Sequence, residues 1–318
     1  MPTGLRIGNG IGETATYPEM RMQARLGVEY ASSGAATLQD ASREHLLEVR
    51  RRFESAGIRL FNFRVEELHN CVPIVLGTRE RDERIEMFKT HLRNCGAAGI
   101  RYITYAHNAN ITIPAYYQTG TAYTRGDVPT REFDTKAAAR LPLSHGRVYT
   151  ADELWATFTH FVHEVMPVAE EAGVRIGVHP DDPPLPTLGG IARLFTNREA
   201  YRRAIRLANS RNFGICLCVG TWAEGGETTG ASPIEMIREF GPQGRIFKIH
   251  FRNVDRPFPR FKETLIEDGY VDMYGVMNAL RETGFNGVIV PDHSPGGLWQ
   301  YTLGYMKALR DRVNIEGR

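Results

Sequence analysis

Eight times along this chain a short apolar run, rich in β-branched and aromatic residues, is followed by a longer stretch with helical periodicity. The strand-like runs fall at 5–11, 28–34, 58–65, 101–107, 174–181, 212–220, 246–254 and 287–293. The helical patterns fall at 16–26, 42–56, 78–98, 151–172, 197–209, 232–240, 271–283 and 297–313. Helix signatures support several of them: Ser42 is placed to cap a Leu- and Arg-rich segment, and Ser232-Pro233 sets a cap before a proline at the first helical position. Gly57, Gly99, Gly173 and Gly284 each stand between a helix and the next strand, where left-handed C-terminal caps occur. Repeated β-then-α units build a parallel sheet, and eight in a row predict an α/β fold of the (β/α)8 TIM-barrel type. The competing doubly wound sheet, in its dinucleotide-binding form, needs Gly-x-Gly-x-x-Gly after the first strand. Gly8-Asn9-Gly10-Ile11-Gly12 has its glycines at the wrong spacing.

A length of 318 residues suits one barrel with insertions, and residues 1–314 read as a single domain. The final Ile315-Glu316-Gly317-Arg318 spells a protease-cleavage sequence and is set outside that domain. Lys plus Arg (39) nearly cancel Asp plus Glu (37), which argues against nucleic acid or an anionic membrane as partner. No stretch approaches the apolar length of a membrane span, and the N-terminus lacks the basic and apolar regions of a signal peptide. Four cysteines in so long a chain do not form a disulfide scaffold, so the expected location is the cytoplasm. The rhythm breaks at 108–150, an insertion after the fourth strand that carries Tyr116, Tyr117, Tyr123 and Tyr149 among Thr, Gly and Pro. Long loops at the C-terminal face of a barrel serve as lids or substrate walls, though a surface excursion or an oligomer contact fits the composition equally.

A barrel enzyme builds its site where the strands end. The fifth strand ends in His179-Pro180-Asp181-Asp182, the sixth carries Cys216 and Cys218, the seventh His250 and Arg252, and the eighth ends in Asp292-His293. Imidazole, thiolate and carboxylate together suit a borderline divalent cation. Strand alternation puts Lys248, His250 and Arg252 on the axis side of the seventh strand. Cys218 lies nearer the mouth than Cys216, which reads as a small packing residue. Taken singly, a buried cysteine is usually packing, a strand-end histidine is as often a satisfied core residue, and Asp182 before Pro-Pro can simply organise a turn. Metal-ligand residue types on four consecutive strand ends argue otherwise. His45, His91, His160 and His163 lie in helical patterns without a third ligand and read as surface residues.

Val178-His179-Pro180-Asp181-Asp182-Pro183-Pro184 with Leu188-Gly189-Gly190, Cys218-Val219-Gly220-Thr221, His250-Phe251-Arg252, Gly269-Tyr270-Val271-Asp272-Met273-Tyr274 and Pro291-Asp292-His293 resemble, in order, signature segments of mannonate dehydratases. That family resemblance covers roughly residues 165–310 and implies a metal-dependent barrel, related to xylose-isomerase-like enzymes. It implies removal of water from D-mannonate to give 2-keto-3-deoxy-D-gluconate. Carried over position by position, it makes His179, Cys218, His250 and Asp292 the metal ligands, with Mn2+ expected and Zn2+, Fe2+ or Co2+ also suited. His293 matches a catalytic histidine and Tyr301 a tyrosine near the site; together they are the expected acid/base pair. Arg252 matches an arginine two residues past the third ligand and is the expected partner of the substrate carboxylate. Asp182 and His107 are further candidates for substrate contact.

The first half departs from the family. A His-His-Ile-Pro segment is replaced by Tyr30-Ala31-Ser32-Ser33-Gly34, and Asn-Phe-Met-Pro with its following Asp-Trp-Thr-Arg by Tyr105-Ala106-His107-Asn108-Ala109-Asn110-Ile111 and a shorter insertion. Glu66, His69 and His107 are the residues placed to take over the missing contacts, against the plainer reading of solvated loop residues. The leading expectation is a hydro-lyase acting on a sugar acid. An isomerase or epimerase of the xylose-isomerase-like type and a keto-glycoside lyase use the same metal and proton chemistry, and a non-catalytic sugar-binding barrel is a further alternative. A homo-oligomer is expected.

Overall fold

A computed structural model describes residues 4–316 of the chain. Eight parallel strands close into a barrel: β1 (Arg6–Gly10), β2 (Tyr30–Ala35), β3 (Arg59–Val65), β4 (Tyr102–Tyr105), β5 (Arg175–Val178), β6 (Phe213–Cys218), β7 (Ile246–Phe251) and β8 (Val288–Pro291). Each lies between its sequence neighbours, and β8 pairs with β1 to close the ring. All eight expected strands are present. The outer layer holds the eight expected helices, α1 (Tyr17–Arg25), α2 (Arg43–Ser55), α3 (Arg81–Ala97), α4 (Ala151–Glu171), α5 (Arg198–Ala208), α6 (Pro233–Phe240), α7 (Met273–Glu282) and α8 (Trp299–Glu316). Ile315 and Glu316 complete α8, and Gly317 and Arg318 lie outside the described residues.

Local chemistry sets these boundaries. The Ser42 hydroxyl accepts from the His45 backbone at 3.2 Å at the start of α2, and Ser232 with Glu235 forms a capping box before α6. Gly57 follows α2 with φ +81°, a conformation that costs a residue with a Cβ far more. At the N-terminal end of the barrel, Tyr102 stacks on Phe61 with ring centroids 4.7 Å apart and meets Phe247 edge-on. A Cβ at position 177 would lie 2.6 Å from the Tyr102 hydroxyl, so Gly177 on β5 is what admits this plug. The plug closes one end and leaves the C-terminal face as the place where a cavity can open.

The insertion is not an irregular excursion. Gly120–Thr124 and Val128–Asp134 form a hairpin that turns at Gly126-Asp127, both with positive φ. The second hairpin strand pairs antiparallel with Arg260–Thr264, and that strand with Asn253–Val254, giving a four-stranded sheet. Tyr116, Phe133, Leu188, Val254 and Phe261 form a separate apolar cluster within this region. Burying a few such side chains contributes about 2 kcal/mol each, enough to hold the hairpin in one place against the barrel mouth. One expectation for the helices fails. His91 is 1% exposed, with Nε2 3.0 Å from the Phe63 carbonyl oxygen. It falls on the buried stripe of α3 with Phe88, Leu92 and Cys95, and is no surface residue.

Candidate metal and proton-transfer site

A cavity of about 1030 Å³ opens at the C-terminal face of the barrel. On one side, register puts Cys218 of β6 opposite His250 of β7. His179 follows β5 directly. One ligating atom from each of these three residues lies within 4.8 Å of the other two. His179 Nε2 is 3.1 Å from His250 Nδ1, and Asp292 Oδ2 is 3.5 Å from Cys218 Sγ and 3.6 Å from His250 Nδ1. Four side chains from four successive strand ends therefore meet at one place.

The donor set fits a divalent cation in its protonation and orientation. His179 Nδ1 is 2.7 Å from the Pro180 carbonyl oxygen, so this nitrogen carries the proton and the Nε2 lone pair faces the cluster. Burial lowers both imidazoles, His250 most, and keeps them in the neutral form that binds metal. Burial also raises the Cys218 thiol well above its ordinary value, so the thiolate needs a cation beside it. Burial opposes the charge on Asp292, but the charged His293 and Arg252 beside it outweigh it and hold the carboxylate ionised.

His293 follows Asp292 on the opposite strand parity, yet it faces the cavity because the backbone turns there with φ +48°. Its Nδ1 is 2.8 Å from Glu263 Oε1, and the Tyr117 hydroxyl lies 2.9 Å from Nδ1 and 3.0 Å from Nε2. Burial pulls the imidazole down, but Asp292 and Glu263 push it up to about 9. Behind this pair is a buried ion network. Arg131, from the insertion, donates to Asp182 at 2.6 Å, Glu224 at 2.9 Å and Glu263 at 3.1 Å. Arg252 donates to Asp182 at 2.6 Å, Glu224 at 2.7 Å and Asp292 at 3.0 Å. Asp182 is held well below its ordinary value because these two guanidiniums outweigh burial. Glu224 is pushed up to about 7, chiefly by burial and by Asp182. The Arg131 guanidinium also stacks over the Tyr117 ring, 3.9 Å from its centroid.

Four expectations need correction. Arg252 is 2% exposed with its guanidinium taken up by carboxylates, so it orients Asp292 and Asp182 and is not free for a substrate carboxylate. Asp182 lines the cavity, but both of its oxygens are committed to Arg131, Arg252 and Thr221. His107 is buried against the helical layer, bonded to Tyr105 and Thr157; strand alternation gives the cavity to Ala106 and Asn108 instead. Tyr301 lies on the exposed start of α8, its hydroxyl on Glu267 and Arg125, outside the cavity lining. The tyrosine that reaches His293 is Tyr117. Of the residues placed to replace the missing family contacts, Glu66 and His69 line the cavity.

Tyr117, Arg131, Glu224 and Glu263 had no assigned role in the sequence. Their signal was faint: Thr130-Arg131-Glu132-Phe133 alternates as a strand does, and Arg131 is a charge on its buried face.

Comparison with known proteins agrees with this geometry. The profile of the D-mannonate dehydratase (UxuA) family matches residues 115–313. Mannonate dehydratase 2 of Halalkalibacterium halodurans is 30% identical over 308 residues, covering 86% of this chain and 88% of that protein. A mannonate dehydratase of Streptococcus pneumoniae is 30% identical over 297 residues, covering 82% of this chain and 79% of its own. The crystal structure of mannonate dehydratase from Streptococcus suis serotype 2 superposes with a TM-score of 0.83 at 26% identity, over 98% of this chain and 96% of that one. An L-ribulose 3-epimerase structure superposes at TM-score 0.63 and 11% identity, a likeness of fold alone. With matches along most of the sequence and metal-ligating residue types gathered at its strand ends, the chain belongs to the D-mannonate dehydratase family.

Proposed function

We propose that this protein is a metal-dependent carbon–oxygen lyase that removes water from D-mannonate to give 2-keto-3-deoxy-D-gluconate. The observation that carries the reading is the convergence of His179, Cys218, His250 and Asp292 beside a histidine charged by two carboxylates, in a chain of this family. These four residues would hold the cation, with Mn2+ proposed, and a cation there supplies Lewis acidity toward substrate oxygens. The proposed unit is one barrel over 1–314, with the 108–150 insertion as a wall of its cavity, acting in the cytoplasm.

In the reaction the C2–H bond breaks, its proton passes to a base in the cavity, and its electron pair becomes the C2=C3 bond. The C3–O bond breaks, and the hydroxyl leaves with a proton as water. The resulting enol then tautomerises to the ketone. His293, held near 9, carries a proton at neutral pH and is suited to protonate the departing hydroxyl. Tyr117 is the second proton-bearing group on this wall and orients the ring of His293. Arg252 fixes the Asp292 carboxylate from the side away from the cavity. Arg131 carries Tyr117 by donating to its carbonyl oxygen at 2.9 Å.

The test is mass spectrometry of the protein incubated with D-mannonate and Mn2+. A product lighter than the substrate by one water supports the reading. A product of unchanged mass overturns it in favour of isomerisation.

A further inference from the structure

One layer below the proposed ligand cluster, the cavity contains a cation that forms no ion pair among the described residues. Lys248 precedes His250 by two residues on β7, so both side chains face the cavity and the ammonium lies one layer deeper. Its Nζ crosses to β2 and donates to Ser32 Oγ at 3.1 Å. The same hydroxyl accepts from Asn62 Nδ2 at 2.8 Å, and Asn62 Oδ1 accepts from the Thr104 backbone at 2.9 Å. Ser32 therefore accepts twice and keeps its own O–H free to donate. Among the described residues Lys248 makes no ion pair, whereas Arg131 and Arg252 are surrounded by carboxylates. A further buried atom of the same lining, Asn108 Nδ2, has no hydrogen-bond partner. A buried ammonium without a counterion is costly, and unpaired polar atoms in a cavity wall mark where a ligand supplies the missing partners.

We propose that Lys248 and Ser32, backed by Asn62, bind the carboxylate of the sugar-acid substrate, and that Asn108 meets its hydroxyls. This inference rests on the sugar-acid reading above. The subsite presents donors only, as an anion requires. When the C2 proton leaves, negative charge builds on the carboxylate oxygens, so donors fixed there stabilise the transition state more than bound substrate. Lys248 thus fills the place expected of Arg252, whose charge is spent on the ion network.

The experiment compares the wild-type protein with Lys248→Met and Ser32→Ala. Binding of D-mannonate and of the neutral polyol D-mannitol is measured by calorimetry, alongside turnover, Mn content and thermal midpoint. The wild type should bind D-mannonate at least about 10-fold more tightly than D-mannitol, and Lys248→Met should lose that preference. Its kcat/KM for D-mannonate should fall by roughly 100-fold or more, with losses in kcat as well as KM. Mn content should hold, and the thermal midpoint should hold or rise, because an uncompensated charge has been removed. Ser32→Ala should weaken the acid preference less, in a fold that is unchanged.

Turnover and acid preference within about threefold of wild type in Lys248→Met would overturn the inference. So would loss of fold and Mn in Lys248→Met together with full acid preference in Ser32→Ala. A wild type that prefers D-mannonate, loses this preference in Lys248→Met, yet releases no water would support the subsite and overturn the dehydratase reading instead.

Discussion

Replacing Arg131 by Met keeps the aliphatic bulk of the side chain and removes the charge that ties the insertion to the barrel. The guanidinium is buried and meets Asp182, Glu224 and Glu263 at 2.6, 2.9 and 3.1 Å. Without it, Arg252 and His293 are left to balance four buried carboxyl groups. Removing one partner from a buried ion pair typically costs about 3 to 5 kcal/mol. At roughly 2 °C per kcal/mol for a chain of this size, the thermal midpoint should fall by roughly 6 to 10 °C. The loss should also depend on pH. Burial and Asp182 already push Glu224 up to about 7, and losing Arg131 removes a charge that lowers it, so its contribution is present at low pH and is lost as pH rises past that value. The destabilisation should therefore be larger at pH 8.5 than at pH 6, as read by thermal or urea melts. A fall of less than about 2 °C, equal at both pH values, would refute the network as the anchor of the insertion.

Tyr117→Phe should lower kcat by roughly 10- to 100-fold with KM little changed, while Tyr301→Phe should stay near wild type; steady-state kinetics on D-mannonate decide between them. Cys218→Ser should reduce Mn per chain in elemental analysis, and stripping the wild type with a chelator should cost about 4 kcal/mol of stability relative to Mn at 1,000 times its dissociation constant. Burial pushes His91 down to about 4, below its unfolded value of 6.5, so the unfolded state binds the extra proton and stability falls on acidification through that window. His91→Gln should remove about 2 kcal/mol of the urea-measured difference between pH 7 and pH 5, and an unchanged difference would contradict the burial argument.

The barrel was legible because its signals are local. Strand alternation, serine caps and glycine C-terminal caps each depend on a few neighbouring residues, and all eight strands and outer helices form where those signals place them. The four proposed ligands were legible for a related reason: a strand end fixes the level and face of its side chain. Where strand alternation was not applied, the reading went astray, since Ala106 and Asn108 take the cavity side of β4 and turn His107 away from it. His91 likewise lies on a stripe that helical spacing from Phe88 and Cys95 identifies. Arg252 and Arg131 were harder. Their carboxylate partners, Asp182, Glu224 and Glu263, come from separate elements distant along the chain, and no local pattern says that a charge will be neutralised from elsewhere. Tyr301 sits on the first turn of α8, whereas Tyr117 is carried to His293 by the insertion, whose sheet forms between segments distant along the chain.

Anomalous diffraction from crystals grown with Mn2+ tests the central claim most directly. One strong peak should appear within about 2.0 to 2.5 Å of His179 Nε2, Cys218 Sγ, His250 Nδ1 and an oxygen of Asp292. A peak bound elsewhere, or none at this cluster, would contradict it.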